Sequence, residues 1–97
     1  MLTIVKATEL DGVTLKDGDV GEKLERTGVD KRFGLILIPE QQSVKNIEVG
    51  HRLVAYDPDK EEYLRTSSIK EVNINPVTDQ LEVVTRNTIY FIEDVPN

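Results

Sequence analysis

Apolar and polar residues alternate along most of this chain in short runs separated by turn signals. "LTIVKAT" (residues 2–8), "RFGLILIP" (32–39), "HRLVAY" (51–56), "EYLRTSSIKEVNI" (62–74) and "LEVVTRNTIYFIE" (81–93) are rich in β-branched and aromatic residues and read as strands. Between them lie "DGVTLKDGDVG" (11–21), "DPDK" (57–60) and "NPVTDQ" (75–80), whose Asp-Gly pairs and prolines favour turns. Val13 and Leu15 alternate inside the first of these and suggest a short strand. The longest strand, 62–74, is expected to kink near Ser67. Helical periodicity is scarce. "EKLERTG" (22–28) fits a strand or a single helical turn, with propensities that favour helix and a length that does not, and "EQQSVKNIEVG" (40–50) is the best candidate for a short helix or irregular crossover. The pattern predicts one all-β domain over residues 1–97: a small antiparallel barrel or rolled sheet of SH3-like type, with at most one short helix.

Two runs are apolar on both faces. In "RFGLILIP", Phe33, Leu35 and Leu37 fall on one side and Ile36 and Ile38 on the other. In residues 89–92, Ile89 and Phe91 oppose Tyr90 and Ile92. A half-buried strand in a two-layer fold is apolar on one face only. Something must therefore cover the second set, and Leu35, Ile36, Ile38, Ile89, Tyr90 and Ile92 become candidate interface residues. The expectation is a homodimer or a protein partner, with closure into a complete barrel as the competing account. The polar "TRNT" between the two halves of residues 83–92 suggests a turn dividing two strands, with Asn87 in a left-handed position, rather than one bent strand.

The C-terminal third also carries a resemblance. Thr66, Ser67 and Ile69, followed after a turn by Val83, Thr85, Asn87, Thr88 and Tyr90, resemble a pattern in small phage and prophage proteins, in which Thr-Ser and an aliphatic residue precede a hairpin ending Val-x-Thr-x-Asn-Ser/Thr-x-Tyr. This chain lacks the glycine such hairpins often carry near the asparagine. The resemblance implies a viral or prophage origin and brings no catalytic residue; an interaction module of such origin would be a phage-encoded accessory protein or an inhibitor of host defence.

Charge narrows the partners. Twelve basic against eighteen acidic residues give a net charge of −6, which repels phosphate backbones, so direct nucleic-acid binding is not expected. No apolar stretch approaches the ~20 residues of a membrane span, and no signal peptide is read at the start. The chain has no cysteine, which excludes disulfides, thiolate metal sites and a cysteine nucleophile and fits a reducing cytoplasm.

Candidate chemistry is thin. His51 is the only histidine, so any histidine-based triad or metal site rests on it alone. Asp57, Asp59, Glu61 and Glu62 cluster as calcium ligands do, but without the spacing of a calcium loop, and they read as a solvated hairpin tip. Asp17, Asp19 and Glu22 read the same way, and "GDVG" lacks the Lys-Ser/Thr of a phosphate loop. Arg65, Thr66, Ser67 and Ser68 could hold an anion through a guanidinium and hydroxyls. No catalytic residue, metal or cofactor is expected. The leading reading is a non-enzymatic protein-interaction module, and the alternative is an oligomeric nucleotide- or anion-binding protein.

Overall fold

The computed structural model describes residues 1–28 and 30–96, with the side chain of Asp19 outside that description. Seven antiparallel strands form one curled, half-barrel sheet: β1 (Leu2–Thr8), β2 (Leu35–Leu37), β3 (Arg52–Asp57), β4 (Glu62–Ser68), β5 (Glu71–Ile74), β6 (Leu81–Val84) and β7 (Ile89–Asp94). Their order across the sheet is β4-β3-β2-β1-β7-β6-β5. The two outermost strands, β4 and β5, are consecutive in the chain and are joined only by Ile69 and Lys70. At this corner the Ile69 N–H donates to His51 O (2.7 Å) and the Lys70 N–H to Val84 O (2.7 Å), so one stretch of chain serves both ends of the sheet. The expected kink in residues 62–74 is this corner, two residues past Ser67.

Register decides which side chains face inward. Ile4 lies opposite Leu35 and Ile92, Leu37 opposite Ala55, and Leu81 opposite Ile92. These residues, with Leu53, Ile69 and Val83, form the core. The opposite parity gives the outer row Thr3–Ile36–Tyr56–Tyr63. The turn expected at "TRNT" is present: β6 ends at Val84, β7 begins at Ile89, and the Thr85 N–H donates to Thr88 O (2.9 Å). Asn87 is not left-handed, however. The non-glycine residues with positive φ among those described are Glu61 and Asp79. Buried Thr85 closes the tight turn instead, its hydroxyl and its amide both reaching Thr88 O.

The α-helix forms earlier than residues 40–50, at α1 (Gly18–Thr27). Its buried positions, Gly21, Lys23, Leu24 and Thr27, follow helical spacing and make one face. Gly12 and Gly18 of the two Asp-Gly pairs take positive φ, while Gly21 has a packing reason. A Cβ at Gly21 would sit 1.8 Å from the Lys16 carbonyl oxygen, so the first turn of the helix can fold back on the preceding loop only with glycine. α1 lies at the end of the barrel where β1 and β3 finish and β2 and β4 begin; Leu24 joins the core there.

Residues 40–50 hold two single 3-10 turns, Pro39–Gln41 and Val44–Asn46. Proline ends β2, and two glutamines continue its hydrogen bonding. Gln41 donates to Arg52 O (2.6 Å) and accepts from the Val54 N–H (2.8 Å). Gln42 accepts from the Leu2 N–H (2.6 Å) and donates to Leu2 O and Leu37 O. Their amides act as strand backbone where no strand continues. The strand expected around Val13 and Leu15 reduces to a single bridge between Leu15 and Thr8, and Val13 is exposed. Phe33 also leaves its expected place beside Leu35: it lies exposed in a 3-10 turn, Lys31–Phe33. Gly34 then lets the chain pass β1, since a Cβ there would stand 2.5 Å from Ile4 O.

Candidate interaction face

The apolar residues on both sides of residues 35–38 and 89–92 now separate. Leu35 (2 % exposed) and Ile92 (1 %) are core residues and are corrected as interface candidates, because the barrel interior already covers them. Tyr90 pairs with Ala7 and Val83 and packs against the same core. Ile89 is half-buried beside the loop at Gly12. Ile36 and Ile38 point outward and are half-buried.

Around Ile36 and Ile38 the outer side of β2–β4 forms a continuous surface. Ile36 lies opposite Tyr56, which lies opposite Tyr63. In the next row the Ile38 N–H donates to Val54 O (3.1 Å), and Val54 lies opposite Arg65. The Tyr56 and Tyr63 rings meet with centroids 5.2 Å apart at 50°. Tyr63 nevertheless keeps 71 % of its surface exposed. Beyond Ile36 the face continues into a shallow depression of about 320 Å³ lined by Met1, Thr3, Arg32, Ile36, Val95 and Pro96. The result is an aliphatic and aromatic surface ending at β4, an edge strand with one side of its backbone unpaired by the sheet.

The inner side of the same hairpin is occupied by charge. Lys23 of α1, its side chain 7 % exposed, donates to Asp57 Oδ1 (2.5 Å) and to Asp59 Oδ2 (2.9 Å). Asp57 also accepts from the Asp59 N–H (3.0 Å) and the Lys60 N–H (3.4 Å). Burial by itself would raise the Asp57 carboxyl pKa, but the Lys23 ammonium and the two amides outweigh it and hold the carboxyl below its ordinary value. Burial would likewise lower the Lys23 ammonium, and the two carboxylates outweigh it in the upward direction. The reading of "DPDKEE" as a solvated tip therefore holds for Pro58 to Glu62, all exposed, and fails for Asp57, which is buried because it anchors the helix.

The remaining candidates do not converge. In residues 65–68, Arg65 and Ser68 lie opposite Val54 and Arg52 on the outer side, the Ser67 hydroxyl accepts from the Arg86 N–H (3.4 Å), and Thr66 is buried, its hydroxyl accepting from the Leu53 N–H (3.0 Å) and donating to Ser67 O (2.8 Å). Thr66 is committed to the β3–β4 ladder, where it fills a register shift between Arg52 and Val54, so the four residues do not form one anion cradle. His51 is exposed, with Nε2 3.8 Å from a Glu48 carboxylate oxygen. Asp17 caps α1 without a side-chain hydrogen bond, and Asp19's side chain lies outside the described residues. Among the described residues no group of three or more acidic or histidine side chains is placed to hold a metal ion, and no helix is long and apolar enough to cross a membrane.

Comparison with protein-family models, with curated proteins and with solved structures finds no match. The outer face was half legible in the sequence. The two-sided apolar run at residues 35–38 pointed to it, but Tyr56 and Tyr63 were read as ordinary strand residues. Their pairing depends on the β3–β4 register, which residue types alone do not fix.

Proposed function

We propose that this protein is a non-enzymatic interaction module that binds another protein through the outer face of β2–β4. The observation that carries the reading is the contiguous outward surface of Ile36, Ile38, Val54 and Tyr56, each half-buried, which ends on the exposed ring of Tyr63. Its composition supports it. Tyrosine and arginine dominate the energetics of protein interfaces, and a paired tyrosine ring loses little side-chain freedom when a partner docks on it. The accessory or inhibitor role that a phage-type origin would give is one form such a module takes, and residence in a reducing cytoplasm fits a chain without cysteine.

The test is site-specific photocrosslinking in the cells that make the protein. Benzoylphenylalanine in place of Tyr63 is expected to give a discrete adduct that disappears when Val54→Asp is added. The same probe in place of Val77, a 90 % exposed residue in the β5–β6 turn, is the control and is expected to give none. No adduct from position 63, or the same adducts from both positions, would remove the reading.

A further inference from the structure

Resting on that reading, we infer that the face takes an acidic segment of a partner protein, one that combines carboxylates with apolar side chains. The observation is a segregation of charge. The chain as a whole carries −6. Yet the outward-facing side chains of β2–β4 are Ile36, Arg52, Val54, Tyr56, Tyr63, Arg65 and Ser68, with two arginines and no carboxylate. The carboxylates of this hairpin lie elsewhere: Asp57 is buried against Lys23, Glu62 lies opposite it on the inward parity, and Asp59 and Glu61 are in the turn between the two strands, with Asp59 held by Lys23. Arg52 and Arg65 are exposed, and neither forms an ion pair among the described residues.

An unpaired guanidinium beside a tyrosine surface presents a planar fork of donors that matches a carboxylate in two-point contact. Docking an acidic, apolar segment would bury the tyrosines and give both guanidiniums their counter-charge in one step. A basic segment is attracted at long range by the net charge of −6, but on this face it would meet arginine with lysine or arginine, which costs affinity. A second copy using this same face fares no better. The outward side chains of β2–β4 include no carboxylate, so pairing the face with itself would leave both copies' arginines without counter-charge. An acidic segment is therefore also the occupant that distinguishes a heterologous partner from self-association.

The experiment extends the crosslinking assay. The adduct formed from position 63 is isolated and the attached partner peptide is sequenced by mass spectrometry, in the otherwise unaltered chain and with Arg52→Glu and Arg65→Glu together. Both arginines are exposed, so the double variant should keep the parent's melting curve, which is checked by circular dichroism. The expected result is an attached segment with net negative charge, and an adduct yield reduced about tenfold by the charge reversal. An attached segment that is neutral, basic or derived from this chain itself, or an undiminished yield in the folded double variant, would overturn the inference while leaving the docking face in place. Absence of any adduct would remove both.

Discussion

On the inner side of the β3–β4 hairpin the buried charges have their partners: Lys23 is held by Asp57 and Asp59, and Asp57 accepts two backbone amides as well. On the outer side of the same sheet, Arg52 and Arg65 have no ionic partner among the described residues and Tyr63 stands in solvent. The alternation of one strand thus separates two tasks. Residues 53, 55 and 57 serve the fold, and residues 52, 54 and 56 are left free to serve an encounter. A side chain that is well satisfied within the molecule has little left to offer a partner, whereas an exposed unsatisfied one gains when a partner arrives.

The comparison can be broken most sharply at adjacent residues. Leu53 is fully buried, and Leu53→Ala should cost about 2–5 kcal/mol in urea denaturation. Its outward neighbour, Val54→Ala, should cost less than about 1 kcal/mol. Equal losses at the two positions would mean that the outer face is itself packed. Next in size, Asp57→Ala should destabilise by about 3 kcal/mol, because it strands a buried ammonium with only the exposed Asp59 as partner. Replacing both members with apolar residues, Lys23→Met with Asp57→Leu, should recover most of that loss.

The same pair sets a pH dependence. Asp57's folded carboxyl lies below its ordinary value, so the stability it contributes is present above the ordinary carboxylate range and is lost as pH falls through the depressed value. Lys23 lies above its ordinary value, so its contribution is present at neutral pH and is lost as pH rises through the raised value. Melting temperature should therefore fall at both extremes, and Asp57→Asn should flatten the acid limb relative to the parent. An unchanged acid limb would show that other carboxylates govern it. Smaller still, Asp59→Ala should cost at most about 1 kcal/mol, since its carboxylate is 63 % exposed and screened. Arg65→Ala should stay within about 0.5 kcal/mol of the parent in thermal melts while weakening capture of the partner.

The sheet was readable in residue pattern because alternation and turn chemistry are local. The strands around Leu37, Leu53 and Val83 and the turn between Val84 and Ile89 follow from them. α1 was half readable: the helical propensity of residues 22–28 marked its second half, but its first turn, with glycine required at position 21 by the Lys16 carbonyl, rests on a contact that propensity does not see. Lys23 was invisible for a related reason: a lysine in a helical stretch is ordinarily solvated, and only the return of the chain at Asp57 makes it an internal residue. The outer face lay between these cases. Its aliphatic half was marked by Ile36 and Ile38, and its aromatic half awaited the β3–β4 register.

The order of the strands also bears on how the molecule assembles. β1 occupies the middle of the sheet, and one of its two ladders joins Leu2 to Asp94 across almost the whole chain. Until β7 arrives, a growing polypeptide has a central strand with one flank bare, and the corner at Ile69–Lys70 has nothing to close against on the β6 side. Local hairpins such as β3–β4 can form early, but the barrel is completed only by its most distant pairing. Folding of this kind is slow for its size and leaves an adhesive strand edge open for much of that time. During biosynthesis the molecule should accordingly be more vulnerable to misassociation than its small, charged native surface suggests, and a chaperone that shields extended segments should raise its yield more than lowering the temperature does.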